Sequence, residues 1–428
     1  MRITNFDAIG ETLYEETLPN GLRICVVPKR GFQSSYAVFA TDYGGAHRRF
    51  TIDGEQRDTP AGVAHYLEHK MFDLPGGDNA LNLLSANGAD ANAFTSSDTT
   101  AYYFQSTGHF EENLRMLLHF VSTPYFTDET VQKEQGIISQ EILMGEDDPD
   151  NAIYYRMLRM LFDHHPIRDR VVGTVESISH ITAQTLYDCH KVFYAPSNMA
   201  LCVEGDVDPD EIVRIAREEL GDEKASLPCP DFGEAESLLP IETAVTEIWP
   251  VSAPQFLIGA KLRGEPKGPA ALRQRLTAAL SLRLLLGQSS PFYTRLYSEG
   301  LLNRDFGTEV DFVAGASYVL VGGESQKPEV VLDELKKAVQ DVREHGLSPE
   351  RFERAKRASL GARLRGLEDF ESVCLSLVSG IFDGYSAMGA ITELSNITIA
   401  DCERFLSETF SDEHLAMVVF RPEEKGEA

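Results

Sequence analysis

The chain has 428 residues, more than one compact core usually holds, which points to two domains of about 200 residues each. Hydrophobic residues make up 43% and charged residues 25%, an ordinary globular composition that excludes a disordered, collagenous or coiled-coil chain. The formal net charge of −28 makes nucleic acid and anionic membrane surfaces poor partners.

The first residues hold no apolar signal segment, and no run approaches the ~18 apolar residues of a membrane span, so neither a signal peptide nor a membrane anchor is expected. Residues 16–46 read as a strand pair: Leu18, Pro19, Asn20 and Gly21 give a turn signal, followed by apolar runs over 22–28 and 36–41. A helix is predicted over 61–72 and another over 79–87. A hairpin rich in Thr, Phe and Tyr follows over 91–104. Helical apolar spacing then recurs over 110–121, 128–145, 150–163 and 182–193. Residues 199–204 read as a strand. The six cysteines contain no C-x-x-C pair, so buried reduced thiols in a cytoplasmic protein are expected.

Apolar periodicity weakens after residue 222, where a segment rich in proline and acidic residues reads as a linker. The expected division is a first domain over 1–222, a linker over 223–244 and a second domain over 245–428. Residues 177–203 can be laid on 393–419 at a constant offset of 216, which puts Thr182 on Thr398 and Ala200 on Ala416. Residues 36–45 similarly match 255–264 in pattern. Such a repeat is one domain long, so the chain reads as two related halves of one fold.

The sharpest local signal is His65-Tyr66-Leu67-Glu68-His69. On a helix, positions i and i+4 share a face, so both imidazoles can reach one metal ion, with Glu68 beside them. Two histidines and a distant carboxylate make the ligand set of an open catalytic zinc site. Glu134 and Glu141 lie seven residues apart on the predicted helix over 128–145, nearly two turns, and share a face. One of them can bind the metal while the other orients a histidine.

The inverted H-x-x-E-H motif, followed 72 residues after His69 by Glu141, resembles the pitrilysin/insulinase family of zinc metallopeptidases, in particular its short two-domain bacterial branch. Residues 92–103, NAFTSSDTTAYY, are similar to that family's substrate-pairing edge strand, and 173–182 and 193–207 are similar to the close of its catalytic domain. The resemblance covers nearly the whole chain. It implies an α+β fold of two homologous domains, each a mainly antiparallel sheet packed against helices, as in the mitochondrial processing peptidases. It implies one Zn²⁺ per chain held by His65, His69 and Glu141. Glu68 would be the general base, Glu134 would support a histidine ligand, and Asn92, Ala93 and Phe94 would bind a peptide substrate as an added strand. The implied activity is endopeptidase cleavage of peptides or unfolded segments.

One departure stands out. Relatives complete the site with an Arg and a Tyr from the second domain, but the matching positions here hold Tyr297 and Asn303, with Tyr293 and Arg295 nearby and out of register. The predicted helix over 272–287 contains no histidine and no acid. The expectation is therefore a homodimer or heterodimer in which a paralogous subunit supplies the Arg/Tyr pair. The alternative is a non-catalytic structural or processing subunit of the same fold.

Overall fold

The computed structural model describes residues 1–7, 9–264 and 267–423. It divides into two units, one made of Met1–Ile142, Asp169–Phe232 and Leu364–Met388, the other of Leu143–Arg168, Gly233–Arg363 and residues from 389 onward.

The first unit is built on a sheet of seven strands. These are β1 (Arg2–Phe6), β2 (Glu11–Thr17), β3 (Arg23–Pro28), β4 (Ser35–Thr41), β7 (Ala89–Thr95), β8 (Thr100–Ser106) and β9 (Met199–Gly205). Their spatial order is β1-β2-β3-β9-β4-β8-β7, and every pairing is antiparallel except β3 with β9. A small second sheet joins β5 (Arg49–Ile52), β6 (Glu55–Asp58) and β10 (Cys229–Pro230). The turn at Leu18–Gly21 connects β2 to β3, so residues 16–46 do not pair among themselves as a β3–β4 hairpin. β9 inserts between β3 and β4, and both bury nearly every residue against it. A strand with two buried faces belongs in the middle of a sheet, and β9, buried at every position, has the apolar character for that place.

Alternate residues of β3 and β4 face opposite cores. Ile24, Val26, Ala37 and Phe39 join the larger cluster with the helices α1 (Val63–Met71), α2 (Ala80–Ala86), α3 (Phe110–Ser122) and α4 (Asp128–Glu146). Cys25, Val27, Tyr36 and Val38 pack on the opposite face against the helix Phe370–Asp383. Five of the six cysteines are buried free thiols, and Cys229 is exposed.

The second unit has a five-stranded sheet, β11 (Ala244–Ile248), β12 (Gln255–Lys261), β13 (Gly307–Val313), β14 (Ala316–Glu324) and β15 (Ala416–Arg421), in the order β11-β15-β12-β14-β13. Here too the strand that comes last in the chain inserts, parallel to β11 and antiparallel to β12. The pattern reproduces β3-β9-β4-β8-β7. The repeat extends to the helix starts: Thr182 and Thr398 each cap a helix with a reciprocal capping box, Thr182 with Thr185 and Thr398 with Asp401. One helix of each half packs in the opposite unit. The helix α5 (Pro149–Leu161) lies on β12 and β15, whereas Phe370–Asp383 lies on β4 and β9. Among the described residues no single helix is long and apolar enough to cross a membrane.

Candidate metal centre

The helix α1 follows Gly62, whose φ of 96° is left-handed, and a Cβ there would lie 2.7 Å from the Val172 carbonyl oxygen. Glycine is thus required both for the turn into the helix and for the close approach of the 172 backbone. The buried residues Val63, Tyr66, Leu67, Lys70 and Met71 anchor the helix in the core. Two of them also tie α1 to α4. The Tyr66 hydroxyl donates to the Val131 carbonyl, and the buried Lys70 ammonium reaches the Thr130 carbonyl at 3.3 Å while pairing with Asp73. On α4, Val131, Ile138 and Ile142 are buried, and Glu134 and Glu141 fall on the same stripe, three residues past an apolar anchor each time. The two helices therefore present His65, His69, Glu134 and Glu141 to one another.

The Nε2 atoms of both histidines converge on one carboxylate. His65 Nε2 is 3.4 Å from Glu141 Oε1, and His69 Nε2 is 3.6 Å from Glu141 Oε2. The two rings are 4.6 Å apart. One ligand atom from each of the three residues lies within 4.8 Å of the others, the cluster of this kind found among the described residues. Two ligands on a tetrahedral ion with metal–ligand bonds of about 2.0–2.1 Å stand about 3.3 Å apart. The spacing seen is close to this and long for a hydrogen bond, so the donor set fits a small divalent cation that prefers nitrogen and oxygen. His65 is buried and Glu141 is nearly half exposed, so the cluster opens to solvent on the Glu141 side.

Glu134 stands behind the pair. Its Oε1 is 2.9 Å from His69 Nδ1 and accepts a hydrogen bond from that ring N–H, which leaves the Nε2 lone pair facing Glu141. Burial opposes a charge on the His69 ring, but the hydrogen bond and charge of Glu134, with Glu68 and Glu141, outweigh it and hold the His69 pKa above its ordinary value. The hydrogen bond from His69 draws the Glu134 carboxyl below the usual range, and the facing His65 and His69 imidazoles do the same for Glu141. A cluster that keeps its carboxylates ionised around two imidazoles is a site prepared for positive charge.

Glu68 projects from the same helix, and its Oε2 accepts a hydrogen bond of 2.6 Å from the Thr95 hydroxyl at the end of β7. Periodicity gives no sign of Thr95, which lies within the Thr-rich run over 92–103. Asn92, Ala93 and Phe94 lie on β7, the edge strand of the seven-stranded sheet. Asn92 is exposed, and its Oδ1 accepts from the Ala93 N–H at 2.9 Å.

In the second unit, Tyr293 is buried and donates to the Asn303 carbonyl at 3.2 Å. Arg295 is ion-paired with Glu334. The Asn303 amide donates to Asp305 and Glu324. Tyr297 stacks on Tyr293 with ring centroids 5.6 Å apart and is 45% exposed.

Comparison with known proteins gives a consistent result. Residues 54–175 match the profile of the insulinase family, peptidase family M16, and residues 180–359 match the profile described as the M16 inactive domain. The chain is 36% identical to a Bacillus subtilis protein described as "Uncharacterized zinc protease YmfH", over 96% of this chain and 97% of that one. A crystal structure from Alicyclobacillus acidocaldarius, described as an M16-like peptidase, superposes with a TM-score of 0.92 at 32% identity, over 96% of this chain and 98% of that one. The fold also matches a chain of Complex III2 from Candida albicans, with a TM-score of 0.75 at 12% identity over 95% of both chains.

Proposed function

Since the chain belongs to the insulinase family, peptidase family M16, we propose that it is a zinc-dependent endopeptidase of peptides or unfolded segments that works together with a homologous subunit. The observation that carries the reading is the convergence of His65 Nε2 and His69 Nε2 on the Glu141 carboxylate, with Glu68 alongside. These three residues would hold the zinc. When bound, zinc supplies Lewis acidity to a scissile carbonyl and makes a water easier to deprotonate at neutral pH.

The protein's own residues do the rest. Glu134 keeps the His69 ring in the tautomer whose Nε2 is free to ligate. Glu68 takes the proton of the attacking water and later returns it to the leaving amine. The exposed edge of β7 at Asn92, Ala93 and Phe94 accepts the substrate as an extra strand, in which main-chain hydrogen bonds give affinity with little demand on sequence. The homologous subunit is proposed because Tyr297 and Asn303 stand where an Arg and a Tyr are expected, while Tyr293 and Arg295 are already engaged within their own unit. That departure also favours the second reading, a non-catalytic subunit of the same fold. The retained Glu68, which a scaffold does not need, speaks against it.

The test measures zinc content and cleavage of a quenched peptide. His65→Ala and Glu141→Gln should each lose zinc. The parent should cleave, weakly alone and faster with a homologous chain that lacks the histidine pair. Zinc retained by both variants removes the ligand assignment. A zinc-loaded parent that cleaves nothing, alone or with such a chain, leaves the scaffold reading.

A further inference from the structure

The geometry points to Thr95 as the positioning residue of Glu68: its hydroxyl fixes one carboxylate oxygen and leaves the other for the attacking water. This role rests on the peptidase reading above and adds to it a residue outside the H-x-x-E-H motif.

The direction of the bond is set by chemistry. An ionised carboxylate only accepts, so the Thr95 hydroxyl is the donor, and 2.6 Å is the length of a charge-assisted O–H···O⁻ bond. The neighbouring hydroxyl cannot take its place. Thr100 is Thr95's cross-strand partner and fully buried, and its hydroxyl donates to the Tyr43 carbonyl at 2.9 Å. Thr95 Oγ1 lies 3.4 Å from Thr100 Oγ1 and has Glu68 as its hydrogen-bond acceptor.

Thr95 is itself held in place. It ends β7, and the hairpin tip that follows is pinned by Gly45 N–H to the Ser96 carbonyl and Ala46 N–H to the Ser97 carbonyl, both at 2.9 Å. The backbones meet so closely that a Cβ on Gly44 would lie 2.5 Å from Ser96 O and Asp98 N. A glutamate on a flexible three-bond stem gains a fixed carboxylate from a rigid partner of this kind. Only Oε2 is engaged by Thr95, so Oε1 remains for the water. The strand that carries Asn92, Ala93 and Phe94 thus also sets the base, and one element fixes both the substrate edge and the proton acceptor.

The experiment compares Thr95→Val, which keeps the shape and removes the donor, with Thr95→Ser, which keeps the donor. With zinc content at the parental level, Thr95→Val should lower kcat about 10–100-fold, the scale of a misplaced catalytic group, with KM within about twofold, and Thr95→Ser should restore most of kcat. A second measurement needs no activity. In the zinc-free protein, the shifts in unfolding midpoint caused by Thr95→Val and Glu68→Ala should be non-additive, because each removes the same bond. The role is overturned if Thr95→Val keeps the parental kcat, if Thr95→Ser is as impaired as Thr95→Val, if KM alone changes, or if the midpoint shifts add. A parent that never cleaves while the midpoint shifts remain coupled overturns the peptidase reading, and the positioning role falls with it.

Discussion

The two sheets share one plan and differ in what lies between matching strands. In the first, the chain leaves β4 and returns at β7 through α1, which carries His65, Glu68 and His69. In the second, it leaves β12 and returns at β13 through the helices Pro269–Leu286 and Pro291–Ser298, which hold no histidine and no acid. The helix Pro269–Leu286 is buried at Leu276, Leu280, Leu282, Leu284, Leu285 and Leu286 and serves as core. The two halves share a scaffold, and the candidate metal cluster lies in one of them. A shared pairing pattern and shared caps do not require the two halves to share a function.

The sharpest way to break this comparison is to remove the proposed base of the first helix without changing its shape. Glu68→Gln keeps the size and the bond from Thr95 but cannot accept the water proton. Peptide cleavage should fall about 10²–10⁴-fold, with zinc content and unfolding midpoint near parental values. Near-normal turnover in the variant would show that the first helix is not the seat of proton transfer.

The exchanged helices give the next test. Leu158 of α5 and Leu377 of Phe370–Asp383 are buried in clusters that pair one helix with the sheet of the opposite half. If the plan is truly shared, Leu158→Ala and Leu377→Ala should cost similar amounts, about 2–5 kcal/mol each by loss of buried side chain plus cavity. Urea unfolding measures both. A cost below about 1 kcal/mol for either would mean that its helix is only loosely docked.

Much of this was legible in sequence because it is local. Helix α1 is predicted over 61–72 and found at Val63–Met71, and Glu141, the candidate third ligand, lies on a helix predicted over 128–145 and found at Asp128–Glu146. Thr182 and Thr398, matched by the offset of 216, both cap helices. Apolar period and capping act over a few residues, so the sequence displays them directly. What escaped is long-range. The run over 199–204 reads as a strand, but nothing in its pattern places it between β3 and β4 rather than beside either. The exchange of the two helices has no local signature, since α5 and Phe370–Asp383 are amphipathic whichever sheet they meet. Thr95 looks like any threonine in a strand until the packing of α1 against β7 brings it to Glu68.

The smallest effect separates the central strands themselves. At the offset of 216 that matches β9 to β15, Glu204 falls on Phe420. Both are fully buried. Phe420 stacks on Trp249 with centroids 4.7 Å apart, an ordinary apolar core. Glu204 is a carboxyl in the same kind of place. Burial pushes its pKa from 4.5 up to about 8, opposed by Lys29, whose Nζ is 3.2 Å away, and reinforced by Glu11 and Asp369. The sign follows from linkage. Below about pH 4.5 the carboxyl is protonated whether the chain is folded or not. Between about 4.5 and 8 the unfolded chain loses the proton while the folded chain keeps it, so this group's contribution to stability declines as pH rises, and above about 8 it levels off. Glu204→Gln removes that titration at nearly constant shape. The difference in unfolding midpoint between parent and variant should therefore move in favour of the variant from about pH 5 to 8 and then stay constant. A difference that is flat across this range would mean that Lys29 keeps Glu204 ionised in the folded chain, and that β9, unlike β15, is built around a buried ion pair.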